Sequence, residues 1–119
     1  MCPGHHASAG KRKSGKTRHG NRWLGGALGT AAMAAVRTKD TYLSARYRRL
    51  APRLGKKKAI VAVEHSMLTA VWHMLTHNLD YHDLGGDYFT QRDPAAAMRR
   101  ITRQANALGF TVRFDPIAA

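Results

Sequence analysis

Residues 2–28, CPGHHASAGKRKSGKTRHGNRWLGGAL, constrain most strongly what this chain can become. A Pro-Gly pair opens them, and Ser8 follows two histidines. Lys11, Arg12, Lys13, Lys16, Arg18 and Arg22 come next without one acid among them. Residues 1–20 also hold four glycines and one proline, and punctuation of that density reads as a basic loop. Such a run suits a solvated arm ahead of the first helix. Equally, a small nucleophile beside cations with no countercharge suits attack on, or cradling of, a phosphodiester. On the residues alone both readings stay open.

The charge balance extends beyond this stretch. Lys and Arg outnumber Asp and Glu 20 to 7, a net charge of +13. That is a statement about affinity for polyanions and says little about fold. At 119 residues the chain is one domain at most, with a modest core. A single cysteine excludes an internal disulfide framework and fits a reducing cytosol. No apolar run reaches the roughly 18 residues of a membrane span, and no apolar segment follows the basic N-terminus as in a signal peptide.

Periodicity supplies the helices. Asn21 is a cap for a helix to about Arg37, with Trp23, Leu24, Ala27, Leu28, Ala31, Ala34 and Ala35 on one stripe. Gly25, Gly26 and Gly29 each cost it roughly 1 kcal/mol relative to alanine, so it depends on packing. Its small residues suit the close approach of a partner helix. Asp40 or Thr41 caps a second, shorter helix through Tyr42 and Tyr47 to Leu50, bounded by Pro52 and Gly55. Arg46, Arg48, Arg49 and Arg53 join Lys56, Lys57 and Lys58 in a second positive cluster. Over residues 57–77, Ile60, Val63, Met67, Val71 and Met74 recur at three- and four-residue steps, widened by Leu68, Trp72 and Leu75. This third helix is expected at the centre of the core. His73 and His77 share one of its faces, with Glu64 and His65 two turns earlier, but the H-E-x-x-H order is absent, so these are read as surface histidines and no metal site is assigned.

Residues 78–90 read as a turn-rich connection in which Asp80, Asp83 and Asp87 act as capping or solvated carboxylates rather than as a cation site. Asp93-Pro94 starts a fourth helix to Leu108, with Met98, Ile101 and Ala105 inward and Arg99, Arg100 and Arg103 outward. Residues 110–114 alternate like a short strand. The expected fold is all-α: about four helices, a flexible basic N-terminal loop, and a short C-terminal strand or tail. Its organisation is a basic loop over residues 1–20, a helical core over 21–90, and a C-terminal helix and tail over 91–119.

Three ordered blocks carry a resemblance. The first is P-x-x-x-x-S followed by a basic run and S-G-K-T-R-x-G-N-x-x-L-x-x-A-L. The second is residues 55–63 (GKKKAIVAV), and the third is residues 81–89 (YHDLGGDYF). Together they resemble the C-terminal domain of the DEDD-type bacterial transposases of the insertion-sequence one-ten and one-sixteen family, which includes RNA-guided bridge recombinases. The resemblance implies DNA transposition in a bacterial cytoplasm, with Ser8 as the nucleophile, five residues after Pro3. Ser14, also flanked by lysine and glycine, is the local rival. Lys11, Arg12, Lys13, Lys16, Arg18 and Arg22, with Lys56, Lys57 and Lys58, would hold DNA or guide-RNA backbone, contacts that do not read sequence.

In that family a separate ribonuclease-H-like domain carries four acids that bind a divalent metal, magnesium being expected. Met1 stands immediately before the motif, so that domain is expected to lie outside this chain, and Met1 reads as an internal methionine of a longer frame. Gly25 and Gly26 also depart from the family pattern. The fragment is therefore expected to hold no cofactor, to bind nucleic acid, and to be inactive in strand transfer by itself. Full-length transposase or a second copy are the expected protein partners. A stand-alone basic module that modulates a full-length transposase is the alternative.

Overall fold

The computed structural model describes residues 4–118, with Arg12 described by its backbone alone. Pro3, which opens the P-x-x-x-x-S motif, lies outside the described residues. The chain is mostly helical and divides into two compact units, Met1–Gly86 and Asp87–Ala119. The division falls at Asp87, where a new helix opens.

The first unit begins with a hairpin, not a loop alone. Strand β1 (His6–Ser8) runs antiparallel to β2 (Lys11–Ser14) through the two-residue turn Ala9-Gly10. Both turn residues have positive φ, 50° and 74°, the backbone of a turn whose twist matches that of the strands. Gly10 takes this conformation without steric cost because it lacks a Cβ. His6 pairs with Ser14, Ala7 with Arg12 and Ser8 with Lys11, which leaves Lys13 as the extra residue of a β-bulge. Gly4 N–H donates to Lys16 O at 3.0 Å and closes the base of the hairpin. No residue in either strand is Val, Ile, Thr, Tyr, Phe or Trp, so strand preference gave no warning of it.

Helix α1 (Arg22–Ala35) starts at Asn21, whose Oδ1 accepts from the N–H groups of Trp23 and Leu24, both at 3.0 Å. Its covered side is Leu28, Ala32 and Ala35, with Ala32 fully enclosed. The expected stripe is therefore corrected: Trp23, Leu24, Ala27, Ala31 and Ala34 are exposed. The helix is apolar around nearly its whole circumference, so periodicity alone could not say which side α3 would cover.

Helix α2 (Tyr42–Leu54) is capped by Thr41, whose Oγ1 accepts from Ser44 N–H at 3.3 Å, while the buried Ser44 hydroxyl donates to Thr41 O at 3.0 Å. It continues through Pro52, which had been expected to bound it. Proline removes one N–H from the last turn only, and the helix ends two residues later at Leu54. Gly55, at φ 83° and ψ 156°, is a one-residue joint in a region of backbone space that belongs to glycine. It turns the chain directly into α3 (Lys56–His77), which packs against both α1 and α2.

Ala59 and Val63 of α3 are fully enclosed, and Ile60, Met67, Leu68 and Met74 are half-buried. Val71, Trp72 and Leu75 had been placed in the core, yet they are 43%, 56% and 80% exposed. The reason is length. At 1.5 Å per residue α3 spans about 33 Å whereas α1 and α2 span about 20 Å each, so neither is long enough to cover the whole of it.

The second unit consists of α4 (Tyr88–Arg92), α5 (Pro94–Ala107) and a tail. Helix α4 begins within the connection expected to be turns alone, and Tyr88 and Phe89 meet edge to face at 5.2 Å. Asp93 caps α5 by accepting from Ala96 N–H at 2.9 Å. Met98 and Ile101, expected inward, are 40% and 43% exposed, and only the small Ala96, Ala97, Thr102 and Ala105 are half-buried. A five-residue helix is too short to cover α5. Among the described residues 110–114 no strand forms, because a ladder requires a partner strand and none lies alongside. No helix among the described residues is long and apolar enough to cross a membrane.

Candidate nucleophile and nucleic-acid interface

The hairpin decides where Ser8 stands. Ser8 is the last residue of β1, exposed, directly before the turn, with Lys11 facing it across the ladder. Residues two apart on a strand share a face, and the bulge at Lys13 restores the register, so Ser8, His6, Lys11 and Ser14 lie on one side of the hairpin. The Cα atoms of His6 and Ser8 are about 7 Å apart along the strand. A general base must come within roughly 3 Å of the proton that it removes. The strand register thus gives Ser8 a facing cation, and among the described residues no hydrogen bond joins its hydroxyl to His6.

Both candidate serines lie in the hairpin, and they differ in their bonding. Ser14 Oγ accepts from Lys16 N–H at 3.2 Å, and Lys16 O in turn accepts from Gly4, so Ser14 is tied into the base of the hairpin. Among the described residues Ser8 Oγ has no such backbone donor. Lys13, Lys16 and Arg18 are exposed along the same segment, and the side chain of Arg12 lies outside the described residues. Arg22 opens α1 with its guanidinium 5.3 Å from the ring centroid of Trp23, which is 79% exposed. A flat exposed ring beside a cation is the combination on which nucleobases stack.

Lys56, Lys57 and Lys58 sit elsewhere, in the first turn of α3. That turn has no acid and no side-chain cap, and the positive end of the helix dipole disfavours cations there. An incoming polyanion would relieve that repulsion. One basic feature was missed as a site. Arg46, Arg49 and Arg53 recur at i, i+3 and i+7 along α2 and so share one face; their spacing was legible, but they had been grouped only by charge.

Two of the three acids of residues 78–90, Asp83 and Asp87, are held in hydrogen bonds. Asp83 Oδ1 accepts from the N–H groups of Tyr42 at 3.0 Å and Gly85 at 2.8 Å, and Oδ2 accepts from the Tyr81 hydroxyl at 2.9 Å. Burial alone would push the Asp83 carboxyl up, but these three donors outweigh it and hold it below the ordinary carboxylate value. Tyr81 is pushed up to about 12, first by burial and then by its bond to Asp83 and the charge there. Burial likewise raises Glu64. Asp83 thereby caps α2 from a distant loop. Asp87 Oδ2 accepts from Gln91 Nε2 within α4. His73 and His77 stack at 5.6 Å, and no group of three metal-ligating side chains forms among the described residues.

Residues 1–48 match the model of the Transposase IS116/IS110/IS902 family. That stretch contains the hairpin, Ser8, the basic run and α1, and the match supports this family, a role in transposition and DNA as the partner. No curated protein and no solved structure matches the chain.

Proposed function

We propose that this chain is the serine-bearing, DNA-holding part of a transposase, with Ser8 as the nucleophile. The observation that carries the reading is position: the family match covers Ser8, and the hairpin sets that hydroxyl at a solvent-facing tip opposite Lys11. In the reaction, Ser8 Oγ forms a bond to the DNA phosphorus while one ester P–O bond breaks. The serine proton passes to a base and the leaving oxygen takes up a proton. Lys11, Arg12, Lys13, Lys16, Arg18 and Arg22 hold the phosphates on either side, and Lys56, Lys57 and Lys58 hold a second stretch of backbone of DNA or guide RNA. Acids that bind magnesium, as in DEDD-type bridge recombinases, belong in this reading to a ribonuclease-H-like domain outside residues 1–119. When bound, the metal would stabilise charge on the phosphate and leaving oxygen.

The test is a covalent-adduct assay with labelled DNA. The chain by itself is expected to give no adduct, and the acidic domain supplied with magnesium and its cognate RNA is expected to permit one. Ser8→Ala should then abolish the adduct and leave binding within about twofold, because one neutral hydroxyl adds little to a charge-dominated interface. Loss with Ser14→Ala but not with Ser8→Ala would assign the role to Ser14.

A further inference from the structure

A cleft of about 710 Å³ lies between the start of α2, the middle of α3 and the 79–84 loop, all within the first unit. Its size is that of a small-molecule or nucleotide site. The floor is apolar, built by Leu43, Met67, Val71, Met74 and Leu84. Arg46 stands in the wall, and its Nε is buried without a hydrogen-bond partner among the described residues. A buried guanidinium N–H is costly to leave unmade. Asp83, whose oxygens accept from Tyr42, Gly85 and Tyr81, makes no hydrogen bond to it.

We propose that this cleft binds one unstacked nucleotide, with the base on the apolar floor and its phosphate on Arg46. Phosphate oxygens match the fork of donors that a guanidinium presents. Tyr42, Tyr81 and the imidazoles of His65, His73 and His82 give the walls flat faces of the kind that bases stack on. The site also adjoins the basic stripe of α2, because Arg46 lines the cleft and shares that stripe with Arg49 and Arg53. The inference rests on the reading that the chain binds nucleic acid and adds to it a place for a single base.

The test uses the full chain with AMP, adenosine and inorganic phosphate as separate probes, followed by NMR of the methionine methyls, with duplex DNA binding measured in parallel. AMP is expected to shift Met67 and Met74, and adenosine or phosphate alone should do so at least 10-fold more weakly. Arg46→Met, which keeps the apolar stem, should weaken AMP by roughly 10- to 100-fold, as loss of a hydrogen bond to a charged group does. Ala70→Phe fills the cleft and should abolish the shifts while leaving duplex binding within about twofold. Val71→Trp, at a position already 43% exposed, repeats the block without disturbing the core. AMP shifts that survive both blocking variants, or their absence in a protein that still binds duplex DNA, would overturn the pocket and leave the proposed function standing. Decanoate binding in place of AMP would overturn it too, and assign the cleft to apolar carboxylates. Failure to bind any nucleic acid would instead remove the proposed function and this inference with it.

Discussion

The paired substitutions Val63→Ala and Leu75→Ala test where the core of the first unit lies. Both residues belong to the apolar pattern of α3, and sequence periodicity treats them alike. The structure separates them: Val63 is fully enclosed and Leu75 is 80% exposed. Val63→Ala removes two buried methyl carbons, about 0.8 kcal/mol of transfer free energy each, and adds a term for the cavity left behind. The expected loss is about 2–3 kcal/mol. Leu75→Ala removes atoms that are already in water, and surface changes of that kind usually fall within about 0.5 kcal/mol. Urea titration of each variant, followed by far-ultraviolet circular dichroism, reads both losses. A midpoint shift with unchanged slope marks a change in stability rather than in the denatured state. Equal losses, or a larger one for Leu75, would place the α3 contacts at its C-terminal end and refute the length argument made above.

Two further outcomes follow from the electrostatics. Asp83→Ala removes the acceptor for the Tyr42 and Gly85 N–H groups and should cost about 1 kcal/mol at pH 7, at the low end for a charged acceptor because the site is exposed. Since the folded carboxyl is held below its unfolded value, its stabilisation is complete above the ordinary carboxylate range and disappears as pH falls through the folded value, so urea midpoints of wild type and variant should converge in acid. If about six phosphates are neutralised, log K for duplex DNA should fall with log salt at a slope of roughly −5, and a flat dependence would contradict the charge-dominated interface.

The helices were legible wherever a local signal sufficed. Asn21, Thr41 and Asp93 each cap the helix that their side chains announce, because capping depends on only two or three neighbouring N–H groups. What sequence could not show depends on groups distant along the chain. The hairpin rests on backbone pairing and on an Ala-Gly turn, neither of which the charged side chains of β2 advertise. Burial along α3 depends on how far α1 and α2 reach, which no pattern within α3 contains. Ser8 is a candidate on its motif alone, but its facing partner Lys11 is fixed by a two-residue turn, and the spacing was open to a loop as well. The buried, unpaired Nε of Arg46 was beyond reach, since the cleft it stands in is lined by residues from α3 and the 79–84 loop, distant along the chain.

The geometry of Ser8 also divides the chemical labour. A serine hydroxyl is a weak nucleophile at neutral pH unless a base, a metal or an enclosed electrostatic site assists it. Lys11, across the ladder, could favour negative charge on the reacting phosphate, but both residues are exposed. In water two unit charges 4 Å apart interact by only about 1 kcal/mol, against about 4 kcal/mol at a partly dried surface. The hairpin as it stands therefore positions the hydroxyl without activating it. Whatever closes over the tip must exclude water, bring a base within reach and raise the worth of Lys11 together. In the proposed reaction, DNA laid across the basic run would supply the first of these, and a second domain seated on the far side of the phosphate would supply the others. On this reasoning an adduct, once permitted, should be far more sensitive to Lys11→Ala than DNA binding is, since one lysine among many changes affinity little but is the only cation facing Ser8 in the ladder. Equal effects on adduct yield and on affinity would make Lys11 one more phosphate contact and leave the nucleophile to be assisted from elsewhere.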